Sequence, residues 1–246
     1  MKSIILAAGY ATRLYPLTEN FPKPLLQIGS STILGRLMRD IDAIPEVNEH
    51  IIVTNGRFEG FFRDWANMGR TNKDSKPIHV LSDGTVTNET RLGAVRDLIL
   101  AIETYNIDED ILVLAADNIL DFSLKGFVEE FHKKGTSMIM CHHEPEIYKL
   151  QRTGVIAVDD DFKVLQMQEK PEVPVSHWAV PPFYIYAKAD LPLIKDALNH
   201  GCGFDAPGNL AHYLVDASVM HAWPMPAGRF DIGSLDTYEL AKQKYA

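Results

Sequence analysis

The sequence contains little cysteine and no long apolar run. Only two of its 246 residues are cysteines, Cys141 and Cys202, and neither belongs to a C-x-x-C pair. This number excludes a disulfide framework and is typical of a protein in a reducing cytosol. No apolar stretch approaches the roughly 20 residues that span a bilayer, and the apolar N-terminal run stops at Gly9, too early for a secretion signal. The sequence therefore predicts a cytoplasmic protein that does not enter membranes.

Positive charge is also scarce. The chain has 24 Lys and Arg against 33 Asp and Glu, which gives a formal net charge of -9. General nucleic-acid-binding proteins concentrate Lys and Arg on their surface to neutralise phosphates. The excess of acidic residues therefore argues against general nucleic-acid binding. If the ligand is a small anion, the few cations have to be concentrated in one cleft.

What the chain does have is a regular alternation of strand-like and helix-like segments. Four continuous apolar runs, at 4–8, 51–54, 78–81 and 111–115, predict strands that are buried on both faces. Two stripes at helical spacing lie between them: Leu34, Leu37, Met38 and Ile41, and then Leu92, Val95, Ile99 and Ile102. Thr90 or Asn88 is expected to cap the second helix. The pattern predicts an α/β fold with a doubly wound, mixed and mainly parallel sheet of the Rossmann-like kind.

The second half of the chain has a different character. Short strand-like runs at 155–158, 164–167 and 183–186 are separated by turns, with only modest helices between them. We interpret this part as an inserted lobe with a small mixed sheet on the same core. A segment from about 234 to 245 predicts a terminal helix.

The most informative stretch follows the first predicted strand. Leu6, Ala7, Ala8 and Gly9 lead from the strand into a loop that carries Arg13. Small residues let the backbone approach a phosphate so that N–H groups can donate to its oxygens. The Arg guanidinium is a planar fork that suits a polyphosphate. In open α/β sheets, ligands bind at the carboxyl ends of the strands, so this loop is a candidate anion site.

Lys23 and Asp117 extend this candidate site. Lys23 lies between Pro22 and Pro24, which stiffen the segment and hold its charge in place. Asp117 follows the apolar run at 111–115. A carboxylate at this position either binds a hard cation or caps a following helix, and both interpretations stay open. The Walker A and G-x-G-x-x-G patterns are both absent.

The stretch LAAGYATRLYPLTENFPKPLL, residues 6–26, resembles the signature loop LAAGxGTRLxPLTxxxPKPLL of the sugar-1-phosphate nucleotidyltransferases, the group that contains glucose-1-phosphate thymidylyltransferase. Ala11 stands where that family usually has its second Gly. The methyl group of Ala11 is expected to restrict the loop slightly.

The resemblance implies a set of roles for acidic residues. It places a metal-binding carboxylate at Asp117, and a second one at Asp231, because the segment Gly228–Ser234 resembles the family's W-x-D-x-G-[TS]. Arg229 and Phe230 replace the usual pattern there. The implied cofactor is Mg²⁺, which takes one or two protein carboxylates and completes its shell with phosphate oxygens and water.

Two further elements imply a sugar-phosphate site. The tetrapeptide at 168–171 matches the family's E-K-P element, with Glu169 accepting from sugar hydroxyls and Lys170 holding the sugar phosphate. Gly154 belongs to a segment like the family's Y-G-V, where a sugar lies against the backbone. His177 and Pro182 stand where the next family strand, S-N-x-A-x-x-G-x-Y, has Asn and Gly.

The family reads the nucleobase with a Gln followed five positions later by Gly. Asn88 and Gly93 keep this spacing, and an amide can face a pyrimidine edge with donor and acceptor together. The competing interpretation, in which Asn88 caps the following helix, stays open.

The resemblance thus implies a single domain over 1–246, with a nucleotide-binding half at about 1–120 and a sugar-phosphate-binding half at 121–246. The expected substrates are a nucleoside triphosphate and a sugar 1-phosphate, and pyrophosphate is the expected product. A homo-oligomer is compatible with the sequence. Two alternatives remain: transfer to phosphocholine or another phospho-alcohol, and a non-catalytic regulator that binds NDP-sugars.

Overall fold

A computed structural model describes residues 1–68 and 76–246 of the chain. Its strands in the described residues are β1 (Lys2–Leu6), β2 (Gln27–Ile28), β3 (Ser31–Thr32), β4 (Glu49–Thr54), β5 (Ile78–Ser82), β6 (Ile111–Ala115), β7 (Asn118–Leu120), β8 (Ser137–His143), β9 (Gly154–Val158), β10 (Val164–Glu169), β11 (Trp178–Val180), β12 (Phe183–Tyr186), β13 (Met220–Pro224) and β14 (Arg229–Asp231). Its α-helices are α1 (Ile33–Asp42), α2 (Glu59–Met68), α3 (Ala94–Thr104), α4 (Lys125–Lys134), α5 (Ile147–Leu150), α6 (Leu191–Asp196), α7 (Pro207–Ala217) and α8 (Leu235–Lys244). In this part of the chain, no helix has the length and apolar character needed to cross a membrane.

The chain divides into two compact units. The first unit comprises Met1–Leu92, Ala115–Leu124 and Ala227–Ala246, and the second unit comprises Gly93–Leu114 and Lys125–Pro226. Each unit is therefore assembled from separate stretches of sequence. The predicted functional halves, divided at about residue 120, stay a prediction.

Parallel strands form the sheet of the first unit. β1 pairs with β4 and β4 pairs with β5, all in parallel, with Ile4 opposite Ile51 and Ile51 opposite His79. The interior residues of β1 and β4 are buried because helices cover both faces of such a sheet, as the continuous apolar runs predict. The Ala116 N–H donates to the Leu6 carbonyl at 3.3 Å, which places the residues that follow β6 beside the end of β1.

Local capping fixes two helices of this unit. The Thr32 side chain accepts from the Gly35 N–H at 2.9 Å and begins α1, whose predicted apolar stripe is buried. Ser234 and Thr237 form a capping box at the start of α8, the predicted terminal helix. Because Asp231 lies three residues before this cap, the box also fixes the chain that follows β14.

The sheet of the second unit is mostly antiparallel. Its strands follow the order β10-β9-β11-β8-β12-β6, and β13 pairs with β8 in parallel. The short strands predicted for this part of the chain are all present as β9, β10 and β12. Short connections such as the one between β9 and β10 join antiparallel neighbours. The helices of this unit are nevertheless longer than the modest ones that the sequence predicted, because α4 has 10 residues and α7 has 11. The predicted mixed α/β fold is confirmed.

The start of α3 differs from the prediction. Neither Asn88 nor Thr90 caps it; the cap position is Gly93, with φ +94°, and no side chain bonds to the helix there. The N–H groups of Ala94 and Val95 instead donate to the carbonyls of Asp205 and Phe204, each at 3.0 Å. The capping prediction was wrong because the acceptors come from a segment more than a hundred residues away in sequence.

Candidate functional site

A cavity lies at the carboxyl end of β1 in the first unit. Its volume is about 240 Å³, and its lining includes Leu6, Ala7, Gly9, Arg13, Lys23 and Asp117. Ala7 and Ala8 are buried, and the Asn55 amide donates to the Ala8 carbonyl at 2.9 Å. A Cβ added to Gly9 would meet nothing within 4 Å, so the space above this exposed residue is open to a ligand. The structure thus brings the predicted loop, both of its cations and Asp117 to one cavity.

The loop turns at Ala11 through a conformation that L-residues disfavour. Ala11 has φ +48° and ψ +42°, which is the left-handed region. Its carbonyl accepts from the Leu14 N–H at 2.9 Å and from the buried Thr18 hydroxyl at 2.8 Å. The family's glycine at this position therefore has a conformational reason, and Ala11 is held in place by these two hydrogen bonds.

Lys23 and Asp117 form an ion pair inside the cavity. Lys23 starts a short 3₁₀ turn between its two prolines, and its side chain is only 8% exposed. Its Nζ donates to Asp117 Oδ2 at 2.9 Å. A nearly buried ammonium is stabilised by such a partner, because burying an unpaired charge is costly. The flanking prolines predicted that the Lys23 charge is held in place. The structure shows which carboxylate this charge faces, that of Asp117.

The other oxygen of Asp117 is held by its neighbour. Asn118 Nδ2 donates to Asp117 Oδ1 at 2.8 Å, and Arg229 Nη1 donates to Asn118 Oδ1 at 2.6 Å. The antiparallel pair of β7 and β14 places Asp231 directly opposite Asn118. The two predicted metal carboxylates, 114 residues apart in sequence (231 − 117), are therefore neighbours.

Electrostatics at Asp231 reflect this closeness. Desolvation by the surrounding protein raises the pKa of Asp231, and the charge of Asp117 raises it further, while Lys23, Arg229 and Arg13 act in the opposite direction. Among the described residues, no group donates a hydrogen bond to the Asp231 carboxylate. The residue is partly desolvated by its neighbours but still exposed at the surface, so a ligand can reach it.

A hard divalent cation fits this donor set. Two neighbouring carboxylates provide oxygen ligands, and a cation relieves the repulsion between them. In the described part of the chain, no group of three or more His, Cys, Asp or Glu residues is arranged to hold a metal. Asp117 and Asp231 therefore remain the predicted ligands of a divalent cation.

Arg13 lies at the edge of the same group. A Cβ built on Gly233 would lie 3.9 Å from both Arg13 Nη1 and Asp231 Oδ2. Arg13 is exposed, so its guanidinium remains accessible to a polyanion.

The two residues predicted to read a base are found in different units. Asn88 belongs to the first unit and opens a short 3₁₀ turn, and its side-chain amide makes no hydrogen bond to any described residue. Gly93 belongs to the second unit, where an added Cβ would lie 2.5 Å from the Phe204 carbonyl oxygen. Packing against Phe204 and the φ of +94° explain glycine at 93 without a ligand, and the role of Asn88 in reading a base stays a prediction.

In the second unit, Glu169 lies beside Gly154. The two residues are opposite each other in the β9–β10 pair, and a Cβ on Gly154 would meet Glu169 Oε2 at 3.4 Å. Lys170 adopts φ +48°, and its Nζ lies 3.8 Å from Glu169 Oε1. Burial raises the pKa of Glu169, and the charges of Lys170 and His212 counteract this effect.

Three residues had no role predicted from their sequence positions. Gly208, near the start of α7, packs so closely on Glu169 that a Cβ there would lie 2.0 Å from Oε2. Nothing in the sequence signals this contact. Asn118 follows Asp117 directly, and Arg229 stands at the first position of the W-x-D segment, so the departure from the family pattern was the available signal.

Comparison with known proteins identifies the family of this chain. A family model described as nucleotidyl transferase matches residues 2–246. The chain is 25% identical over 248 residues to a glucose-1-phosphate adenylyltransferase of Fervidobacterium nodosum, a match covering 96% of this chain and 59% of that protein. It is 27% identical over 245 residues to a UTP--glucose-1-phosphate uridylyltransferase of Synechocystis sp., with 97% and 61% covered.

The fold matches as well. A solved structure of UDP-glucose pyrophosphorylase complexed with UDP-glucose is similar with a TM-score of 0.82 at 22% identity, covering 99% of this chain and 97% of that one. The chain spans about three fifths of the length of the two curated relatives above, 59% and 61%. Since the family model matches nearly the whole chain, the chain belongs to the nucleotidyl transferase family.

Proposed function

We propose that this protein transfers a nucleoside monophosphate from a nucleoside triphosphate to a sugar 1-phosphate and releases pyrophosphate. The observation that carries the proposal is the arrangement in the first unit. Lys23 donates a hydrogen bond to Asp117 at 2.9 Å in the cavity beside the loop, and Asp231 lies close to this pair. Family membership supports the same reaction, because the two relatives above are named for adenylyl and uridylyl transfer to glucose 1-phosphate.

The chemistry is an in-line displacement. A phosphate oxygen of the sugar 1-phosphate forms a bond to the α-phosphorus, the bond from that phosphorus to the bridging oxygen breaks, and pyrophosphate leaves from the opposite side. The attacking phosphate is already anionic near neutral pH, so no strong general base is needed. Catalysis then depends on alignment and on neutralisation of charge.

Residues of the first unit are proposed to bind the triphosphate. The Ala7 N–H already donates to the Val53 carbonyl at 2.8 Å, so Ala7 would contribute only its small side chain. The backbone N–H groups of Ala8 and Gly9 and the guanidinium of Arg13 would hold the phosphates, and Lys23 would neutralise charge at the reacting phosphate. Asp117 and Asp231 would hold Mg²⁺. When bound, that ion supplies Lewis-acid stabilisation of charge on the phosphate oxygens. The side-chain amide of Asn88 is the proposed contact to the nucleobase.

Residues of the second unit are proposed to bind the sugar phosphate. Glu169 would accept hydrogen bonds from sugar hydroxyls, and Gly154 gives the sugar access to the backbone. Lys170, which is exposed, would hold the phosphate. Gly208 keeps the space in which the Glu169 carboxylate lies. We propose a cytosolic location, with which the two free cysteines, Cys141 and Cys202, are compatible.

The test is pyrophosphate release by the purified full chain. Each of the four common ribonucleoside triphosphates and dTTP is combined with a panel of sugar 1-phosphates and with phosphocholine, in the presence of Mg²⁺. We expect release with at least one sugar 1-phosphate and none with phosphocholine. Release with phosphocholine alone would replace the proposed acceptor. NDP-sugar binding without release under any combination would make the protein a regulator and overturn the proposal.

A further inference from the structure

Asn118 links a cation to a metal carboxylate. Its side chain donates from Nδ2 to Asp117 Oδ1 at 2.8 Å and accepts at Oδ1 from Arg229 Nη1 at 2.6 Å. The residue is 2% exposed, so water does not compete freely for these bonds. A buried amide with both ends engaged is fixed in orientation.

The chemistry of the partners determines that orientation. A guanidinium can only donate, so the amide oxygen has to face Arg229. A carboxylate can only accept, so the amide NH₂ has to face Asp117. Any other arrangement would leave two mismatched polar pairs in a buried position. Arg229 therefore selects the side of Asn118 that Asp117 meets.

Strand pairing adds a second effect of the same residue. Arg229 and Asp231 lie in β14, two residues apart, and Asp231 is opposite Asn118 in β7. Residues two apart on a strand point to the same side of the sheet. The guanidinium thus offsets part of the repulsion between Asp117 and Asp231 while it holds the amide between them.

We propose that Arg229 is a positioning residue of the divalent-cation site: through Asn118 it orients the Asp117 carboxylate, and through its charge it allows Asp117 and Asp231 to stay together as a ligand pair. The inference rests on the proposed function only for the identity of the site. Arg229 is not itself proposed as a ligand of the substrate or of the cation. In the segment that resembles the family's W-x-D, this chain has Arg229 at the position of the Trp. The Arg229 side chain donates to Asn118, the neighbour of Asp117.

Removing Arg229 leaves a buried acceptor, Asn118 Oδ1, without its donor. The amide can then rotate, and Asp117 loses the orientation of its Oδ1 atom. Changes to groups that orient metal ligands typically weaken metal binding by about 10- to 100-fold. We expect Arg229→Met to weaken cation binding by about tenfold. Arg229→Lys retains a donor and the charge and is expected to restore most of the loss.

The experiment titrates Mn²⁺ into the full chain without nucleotide and measures free Mn²⁺ by electron paramagnetic resonance. The variants are Arg229→Met, Arg229→Lys and Asp117→Asn, and the matched control is Arg63→Met. Arg63 is an exposed Arg of α2 in the same unit and pairs only with Glu59 among the described residues. We expect unchanged Mn²⁺ affinity for Arg63→Met, about tenfold weaker affinity for Arg229→Met, and near-complete rescue by Arg229→Lys. If Arg229→Met does not fold, as judged by circular dichroism, Asn118→Leu takes its place in the comparison.

A second readout separates positioning from general damage. The Mg²⁺ concentration for half-maximal pyrophosphate release should rise about tenfold in Arg229→Met, while kcat at saturating Mg²⁺ falls less than threefold. Unchanged Mn²⁺ affinity in the variant overturns the inference, and so does Mn²⁺ binding by the unmodified chain that does not depend on Asp117. If the unmodified chain transfers no nucleotide but its Mn²⁺ binding depends on both Asp117 and Arg229, the proposed function fails and the inference stands.

Discussion

Two groups of residues in this chain are built on different principles. One is the candidate phosphate site of the first unit, around Arg13, Lys23 and Asp117, and the other is the candidate sugar site of the second unit, around Gly154 and Glu169. In the first, opposite charges are in contact: Lys23 with Asp117 at 2.9 Å, and an amide that Arg229 holds on the other carboxylate oxygen. In the second, the nearest cation to Glu169 is Lys170 at 3.8 Å, and the carboxylate fits among glycines.

This difference shows what each site needs from its residues. Under the proposed function, the first site would gather charge before a polyanion arrives, which fits side chains that are paired and oriented in advance. The second would accommodate a bulky neutral ring, which fits the absence of side chains at its glycines and a desolvated acceptor. Substitutions in the first site should therefore affect charge and metal dependence, and substitutions in the second should affect KM for the sugar phosphate.

The largest effect is expected from Asp117→Asn. The substitution removes a cation ligand and leaves Lys23 without its ion-pair partner, so kcat for pyrophosphate release should fall by about 10³-fold. The fold should survive, because Asp117 lies at the mouth of the cavity and is 37% exposed. Asp64→Asn, at an exposed position of α2, is the matched control and should retain full activity. Normal turnover by Asp117→Asn would remove the metal role from this residue.

A smaller loss of activity, together with a gain in stability, is expected from Glu169→Gln. Loss of a charged acceptor should raise KM for the sugar 1-phosphate by about 10- to 100-fold. Burial raises the pKa of Glu169, so the folded chain binds a proton at this carboxylate more tightly than the unfolded chain does. The stability that this proton contributes is present below the unfolded pKa and is lost as pH rises through the folded pKa. The variant should thus unfold at higher urea concentration than the unmodified protein at pH 7, and this advantage should shrink towards pH 5.

Glu103→Gln, at an exposed position in α3, serves as the control for that prediction. It should change neither KM nor the pH dependence of unfolding. A Glu169→Gln protein that is less stable at pH 7 than the unmodified chain would contradict the interpretation of Glu169 as a desolvated acceptor.

Gly208→Ala tests whether the second site depends on space. The added methyl group would lie 2.0 Å from Glu169 Oε2, which is the end of a flexible side chain, so the carboxylate should move and the helix should remain. KM for the sugar 1-phosphate is expected to rise about tenfold, with a change in unfolding free energy below about 1 kcal/mol because Ala favours the helix. The control is Gly60→Ala in α2, where nothing lies within 4 Å and only a gain in stability is expected. Equal KM values for both variants would mean that Gly208 has no part in the site.

The smallest effect is expected from Ala11→Gly. Glycine adopts the left-handed conformation of this position without steric cost, so the free energy of unfolding should rise by about 0.5–1 kcal/mol. Ala43→Gly provides the opposite case, because Ala43 has φ -77°, where glycine only adds freedom to the unfolded chain. Urea unfolding of both variants checks the signs. A loss of stability in Ala11→Gly would show that the added freedom of the unfolded chain outweighs the relief of the left-handed conformation.

Much of the fold was predictable because its signals are local. Continuous apolar runs identified β4, β5 and β6 within two residues of their observed ends, and helical spacing identified the buried face of α1. The run at 4–8 was placed too late, since β1 ends at Leu6, where its pairing with β4 stops. The cap of α3 was predicted wrongly because backbone carbonyls from Phe204 and Asp205 occupy the place of a local side chain.

The sequence by itself determined the glycine and alanine loop after β1, the stiffened Lys23 and the presence of carboxylates at 117 and 231, because each depends on neighbours along the chain. Only the tertiary structure decided that Lys23 and Asn118 hold the two oxygens of Asp117, that Arg229 reaches Asn118 across 111 positions of sequence, and that Gly208 packs on Glu169. Hydrogen bonds, desolvation and steric fit depend on distance in space, and that distance is set by strand pairing and helix packing between segments that no local pattern connects.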